Sequence, residues 1–197
     1  DGNLWLVTFG AGFDHFNIKT KQIKRYTHDP ENTNSLSSNE INFVLRDSRG
    51  SVWLGSELGL DRFYPATNTF KHYFYDPQNT EGINSPRVRS VHEDRQGKIW
   101  FGTVGGGLNR FDPQTETFSH IMLGPNGYEN RSNWISAIHE DNSGVLWIGT
   151  WGDGLFQIDK HANIKKNYVN SLNDITSLSQ DLISVIFEDQ TGEIWIG

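Results

Sequence analysis

The sequence has no cysteine, which excludes disulfides, thiolate metal sites and cysteine nucleophiles and leaves the compartment open. It has no apolar run approaching the roughly 18 residues that a membrane-spanning helix needs, and no recognisable signal peptide. Cationic residues are in deficit: 17 Lys and Arg against 24 Asp and Glu give a net charge of −7. A phosphate backbone needs a basic face, so nucleic acid is excluded as a partner, and anionic lipid surfaces are disfavoured for the same reason. Helical periodicity is missing too, since no stretch carries it long enough to rank as a helix. Aromatic residues are not scarce: at 13% of the chain they suffice for a substantial core, which argues against disorder.

Five of those aromatics are phased. Trp5, Trp53, Trp100, Trp147 and Trp195 are separated by 48, 47, 47 and 48 residues. Each closes the same phrase, as in Glu93-Asp94-Arg95-Gln96-Gly97-Lys98-Ile99-Trp100 and Glu188-Asp189-Gln190-Thr191-Gly192-Glu193-Ile194-Trp195. A period of this length means one supersecondary unit repeated, each copy burying its apolar faces against its neighbours. The first copy opens inside the phrase and the last stops within a strand, so the chain is expected to be a fragment of a longer array.

One unit can be read strand by strand from Val88. An extended run ends at Glu93, and Asp94-Arg95-Gln96-Gly97 turns the chain, with Gly supplying the left-handed residue that ends the turn. Lys98 to Thr103 is a second strand, broken by Gly105-Gly106-Gly107. Leu108-Asn109-Arg110-Phe111 is a third, and Thr117-Phe118-Ser119-His120-Ile121 a fourth after the Pro113-Gln114-Thr115 turn. The third strands align as quartets (Phe13 to Phe16, Leu60 to Phe63, Leu108 to Phe111, Leu155 to Ile158), and alternation is read as placing the outer members of each on one face. Four antiparallel strands per unit, with an aromatic signature, point to an all-β fold, a β-propeller of four-stranded blades, with a two-sheet sandwich as the alternative. Partial blades are expected over residues 1–27 and 182–197, and complete ones over 40–75, 87–122 and 134–169, an arc of about four blades from a larger ring. Cut edges expose unpaired backbone, so the isolated piece is expected to associate or be unstable.

The string Glu93-Asp94-x-x-Gly97-x-Ile99-Trp100-Phe101-Gly102-Thr103-x-Gly105-Gly106-Gly107-Leu108-Asn109-Arg110-Phe111-Asp112-Pro113-x-Thr115 resembles the two-component regulator propeller repeat, as does Asp29-Pro30-Glu31-Asn32-Thr33-Asn34-Ser35-Leu36 between units. The resemblance covers essentially the whole chain. It implies a periplasmic sensor ectodomain of a bacterial membrane histidine kinase, many of which respond to oligosaccharides, and a homodimer when full length. Its partners would then be an oligosaccharide and the other blades and domains of the same receptor. Kinase or cyclase chemistry would lie outside this segment, and no cofactor is implied. Departures include Val7 where other units have Gly55, Gly102, Gly149 and Gly197, and a fourth unit without the Pro-x-Thr turn.

The meander places the Asp-x-x-Gly hairpins and the third-to-fourth-strand turns at one end of each sheet. The Gly-rich loops and the longer, more variable inter-unit loops share the other, which is where scaffolds carry binding groups. Two positions there break the repeat. Arg131-Ser132-Asn133-Trp134 replaces the usual lead-in, with Trp134 where other units have Glu40, Arg87 and Leu182. Trp151 stands where they have Phe9, Glu57 and Val104. Tryptophan beside Arg and Asn suits a sugar ring, and Trp134, Arg131, Asn133, Trp151 and Arg87 are the candidate ligand contacts. A packing role for the two tryptophans is the competing reading. The five phased tryptophans are assigned to the blade core. Seven histidines show no metal-ligand spacing, with His92 and His139 at a packing position. No paired acid or nucleophile–base motif emerges, so the segment is not expected to be an enzyme. The alternatives are a protein-interaction propeller or, with less support, part of a carbohydrate-active enzyme.

Overall fold

A computed structural model describes residues 3–8, 10–124 and 131–197. Asp1, Gly2 and Phe9, which the repeat assigns to the first hairpin and the first Gly-rich loop, lie outside the described residues. The chain forms two compact units, residues 1–88 and 89–197. Strands β1 (Asn3–Thr8), β2 (Gly12–Asn17) and β3 (Ile23–Tyr26) make a three-stranded sheet; β4 (Ile41–Arg46), β5 (Val52–Ser56), β6 (Gly59–Tyr64) and β7 (Thr69–Phe74) make a four-stranded one. Two further four-stranded sheets follow. The first is β8 (Val88–Glu93), β9 (Ile99–Thr103), β10 (Leu108–Asp112) and β11 (Thr117–Ile121). The second, after a 3-10 turn at Arg131–Asn133, is β12 (Ile135–Glu140), β13 (Leu146–Thr150), β14 (Leu155–Ile158) and β15 (Ile164–Tyr168). A two-stranded sheet, β16 (Ile186–Glu188) and β17 (Ile194–Ile196), ends the chain.

Every sheet is an antiparallel meander in sequence order, as short turns between consecutive strands require. Within the first unit β1 packs beside β4, and within the second β12 packs beside both β9 and β16. Within each unit the first strand of each later sheet thus packs against the sheet before it, the arrangement of β-propeller blades. Apolar side chains fill the space between them: Phe13, Leu36, Ile41, Val52, Leu54 and Phe63 in the first unit, and Trp100, Leu108, Ile135, Leu146, Ile148 and Phe156 among others in the second.

The third-strand quartets behave differently from the one-face expectation. Leu60 and Phe63 are both fully buried, as are Leu108 and Phe111. Members three apart on a strand point to opposite faces. Phe63 joins the core of the first unit and Leu60 does not, while Leu108 joins that of the second and Phe111 does not. Both positions are apolar because these sheets are covered on both faces.

The second-strand glycine has a steric cause. A Cβ on Gly55 would stand 1.9 Å from the Phe43 ring, and one on Gly102 would stand 2.2 Å from Ser90 Oγ and 2.6 Å from Ile135 Cγ2. The first strand of the same sheet supplies Phe43 or Ser90, so the second strand must yield. Val7 holds the equivalent position in β1.

Candidate functional site

At one end of the sheets an Asp and a Trp meet in the same way four times. The hairpin that follows the first strand brings the Asp at its start back beside the indole six residues on. Trp53 Nε1 donates to Asp47 Oδ2 at 2.9 Å, Trp100 to Asp94 at 2.7 Å, Trp147 to Asp141 at 2.7 Å and Trp195 to Asp189 at 2.8 Å. The other oxygen of each carboxylate accepts two backbone N–H groups of the turn, such as Gln96 and Lys98 on Asp94, both at 2.9 Å. One carboxylate therefore closes the hairpin and fixes the indole together. These bonds favour the ionised form, and the Asp141 and Asp189 carboxyls lie below the usual range; burial opposes this at Asp141, and the Thr191 hydroxyl bond leads at Asp189.

The phased tryptophans are not equally core. Trp53 and Trp100 are fully buried, each beneath a cross-strand arginine: Arg62 lies 4.9 Å from the Trp53 ring centre and Arg110 5.5 Å from that of Trp100. Trp5, stacked on His15, and Trp147 are half-buried. Trp195, in the two-stranded sheet, is 59% exposed. His92 and His139 sit half-buried near Glu140 and Glu188, and burial pushes the His92 imidazole below its ordinary pKa.

The opposite end carries the candidate ligand contacts. Here two Gly-rich loops pair, antiparallel, with the lead-in of the following sheet: Val104 with Trp134, and Trp151 with Leu182. Trp151 N also donates to Trp134 O at 3.0 Å. Val104, Trp134, Trp151 and Leu182 are thus one continuous tier of backbone-linked residues in the second unit. Trp151 is 42% and Leu182 48% exposed, whereas Trp134 is half-buried. The two indoles lie 6.2 Å apart, tilted by 49°, and the exposed Arg131 places its guanidinium 5.7 Å from the Trp134 ring centre. Beside them Ser132 donates to Asp153, whose backbone N–H is held by Thr150 Oγ1 at 3.0 Å.

The structure therefore brings Arg131, Trp134 and Trp151 together, but Asn133 has a different job. It is wholly buried, its side-chain oxygen accepts Leu123 N at 3.0 Å, and its carbonyl accepts Gly105 N and Gly107 N at 3.0 and 3.1 Å. The same strut recurs at Asn39, which accepts from His28 N and Gly12 N, and at Asp181, which accepts from Asn170 N and Gly154 N. Pro86 stands at that position ahead of β8, which hid the pattern in the sequence. Arg87 belongs to the first unit, where its Nε lies 3.5 Å from Glu57 Oε2.

A third polar cluster was not foreseen. Asp61, at 1% exposure, accepts Ser37 N and Ser37 Oγ at 2.9 Å on one oxygen and faces His72 Nδ1 at 2.6 Å with the other. The second nitrogen, His72 Nε2, faces Thr33 O at 3.0 Å. With an acceptor at each nitrogen, the ring is best satisfied as the doubly donating imidazolium, and the bond to Asp61 raises its pKa.

Comparison with known proteins finds relatives of these features. The profile described as two component regulator propeller matches residues 35–57, 82–105 and 131–152. A curated protein of Formosa agariphila called histidine kinase P4 is 38% identical over 60 residues, which is 30% of this chain and 4% of that protein. Among solved structures, the extracellular domain of a putative one component system from B. thetaiotaomicron superposes with a TM-score of 0.79 at 24% identity, covering all of this chain and 25% of that one. The extracellular domain of a putative hybrid two component system from the same organism gives 0.72 at 21%, again over the whole chain and 31% of its own length. PorZ, a surface component of the type-IX secretion system of Porphyromonas gingivalis, gives 0.69 at 17%, over 99% of this chain and 29% of PorZ. The chain thus spans a third or less of each, and at these identities the superpositions speak to fold. Together with the phased Asp–Trp motif and the blade sheets, these matches show two component regulator propeller repeats at residues 35–57, 82–105 and 131–152 and a propeller-blade fold across the chain.

Proposed function

We propose that this chain is part of the extracytoplasmic sensing propeller of a bacterial two-component receptor, and that its tier of Val104, Trp134, Trp151 and Leu182 recognises an oligosaccharide. The observation that carries the reading is the exposed Trp151 beside the Arg131–Trp134 stack, at the end of the sheets where loops vary and the repeat does not dictate side chains. An indole face takes the apolar face of a pyranose ring, and flanking polar groups take its hydroxyls. The tier is backbone-bonded across successive sheets, so a ligand held on it would bear on more than one blade and transmit binding as rigid-body shifts between domains. Other blades and domains of the same receptor are its partners in this scheme, with a homodimer as the signalling form. Names of the matched proteins, one a histidine kinase and two extracellular domains of signalling systems, support the reading. Calorimetry of the full-length extracytoplasmic part against a glycan panel tests it: binding of one glycan class, reduced at least tenfold by Trp151→Ala, is expected. Binding that is indifferent to Trp151 would remove the tier as the site.

A further inference from the structure

Arg131 is an exposed arginine at the variable end of the sheets, whereas several arginines elsewhere in the chain are engaged by partners. Arg25 is paired with Asp14 at 2.8 Å, Arg62 lies 3.9 Å from Asp47, Arg87 3.5 Å from Glu57, and Arg95 donates to Asn142 O at 2.9 Å. Arg131 is exposed, and among the described residues no carboxylate pairs with it, in a chain whose net charge is −7. Asp153, on the Gly-rich loop after β13, is engaged by the Ser132 hydroxyl.

Nor is Arg131 loosely placed. Its guanidinium stacks over Trp134 at 5.7 Å, and its stem lies against Gly152, where a Cβ would stand 2.8 Å from Arg131 Cδ and 3.1 Å from its Cβ. Gly152 has φ of 151°, so a side chain there would be disfavoured by the backbone as well. A guanidinium lying on an indole keeps its in-plane N–H donors free, in the fork that matches a carboxylate or sulfate. Trp151, tilted at 49° to Trp134 and 42% exposed, is the adjoining apolar face.

We infer that the tier selects an acidic oligosaccharide, one that sets a sugar ring on Trp151 and a carboxylate or sulfate substituent on Arg131. This rests on the proposed oligosaccharide-sensing role and narrows it. The anion supplies a countercharge that no described carboxylate gives Arg131, and the stacked fork gives direction as well as charge, which a neutral hydroxyl does not use fully. Corresponding lead-in positions elsewhere hold Ser37, Asn84 and Ser179, so this blade alone of those described offers the pairing.

The test titrates the full-length protein, with tryptophan fluorescence as readout, against oligogalacturonates, sulfated galactan oligomers and neutral xylo-oligosaccharides of matched length. The proteins compared are the wild type, Arg131→Gln, Arg131→Lys and Trp151→Phe. Expected results are tighter binding of one acidic set than of the neutral set, a tenfold or greater loss in Arg131→Gln, a smaller loss in Arg131→Lys, and weakening by added salt. Thermal melts of Arg131→Gln should match the wild type, since the side chain is exposed. Neutral oligomers binding as tightly as acidic ones, through Trp151 but not Arg131, would overturn the acidic preference and leave the sensing role standing. Quenching by none of the three sets would overturn both.

Discussion

At one end of the sheets the same atoms meet in four successive hairpins: an indole N–H on one carboxylate oxygen, and turn N–H groups on the other. At the opposite end the backbone bonds also recur, from Gly-rich loop to the next lead-in, but the side chains they carry, Val104, Trp134, Trp151 and Leu182, follow no common motif. The first end spends its polar groups on itself, so substitution there removes a hinge of the fold. The second fixes only its main chain, and its side chains are free to be chosen for a ligand. A repeat protein can in this way keep one architecture while changing what it binds, with stability and recognition assigned to opposite edges of the same sheet.

The largest expected effect is at the repeating end. Trp100→Ala removes a fully buried indole and should cost about 3–5 kcal/mol in a denaturant melt of the full-length protein. Trp147→Ala should cost less, since that ring is only half-buried in its four-stranded sheet; equal losses would show that repeat position outweighs packing. Next comes Asp47→Ala, which strands Trp53 Nε1 and the Ser51 N–H in a buried setting, with an expected loss of about 3 kcal/mol. Arg131→Gln at the variable end should leave the same melt unchanged. A comparable loss there would erase the division between the two ends.

Smaller and pH-dependent is the clip at His72. Its folded pKa is raised by Asp61, so its contribution is complete below the unfolded value of about 6.5 and is lost as pH rises through the folded value above it. His28 and Asp29 of the inter-unit loop line the same small hollow of about 220 Å³, so a pH titration should follow the His72 ring by NMR and use His72→Gln as the control. A wild-type melting profile parallel to that of His72→Gln across pH 5–9 would contradict it. Least of all, Ala162→Gly should gain about 0.5–1 kcal/mol, because Ala162 holds φ of 66° at a turn position where L-residues are strained. Lys21, Asn68 and Glu116 occupy the same turn position with the same sign of φ, although the fourth unit has lost its Pro-x-Thr spelling.

The period of the tryptophans, the turn glycines and the apolar strands were enough to read the blade sheets and the division of their ends, because those depend on local pattern. What was not legible depends on contacts between residues that pattern does not align. The Asp–Trp bond spans six positions and needs the hairpin to be folded before it can be seen. Asn133 looked like a ligand group because it is polar and sits among unusual residues, but the buried N–H of Leu123 needs it. Equally, the meeting of Trp134 and Trp151 comes from the pairing of a Gly-rich loop with the lead-in of the same and following sheets, which spacing alone does not give.

The most direct test of the division between the two ends is a crystal structure of the full-length extracytoplasmic part with a bound acidic oligosaccharide. A sugar ring on Trp151 with its anionic group on the Arg131 guanidinium is the expected result. A ligand seated instead at the Asp–Trp hairpins, or away from Val104, Trp134, Trp151 and Leu182 altogether, would contradict it.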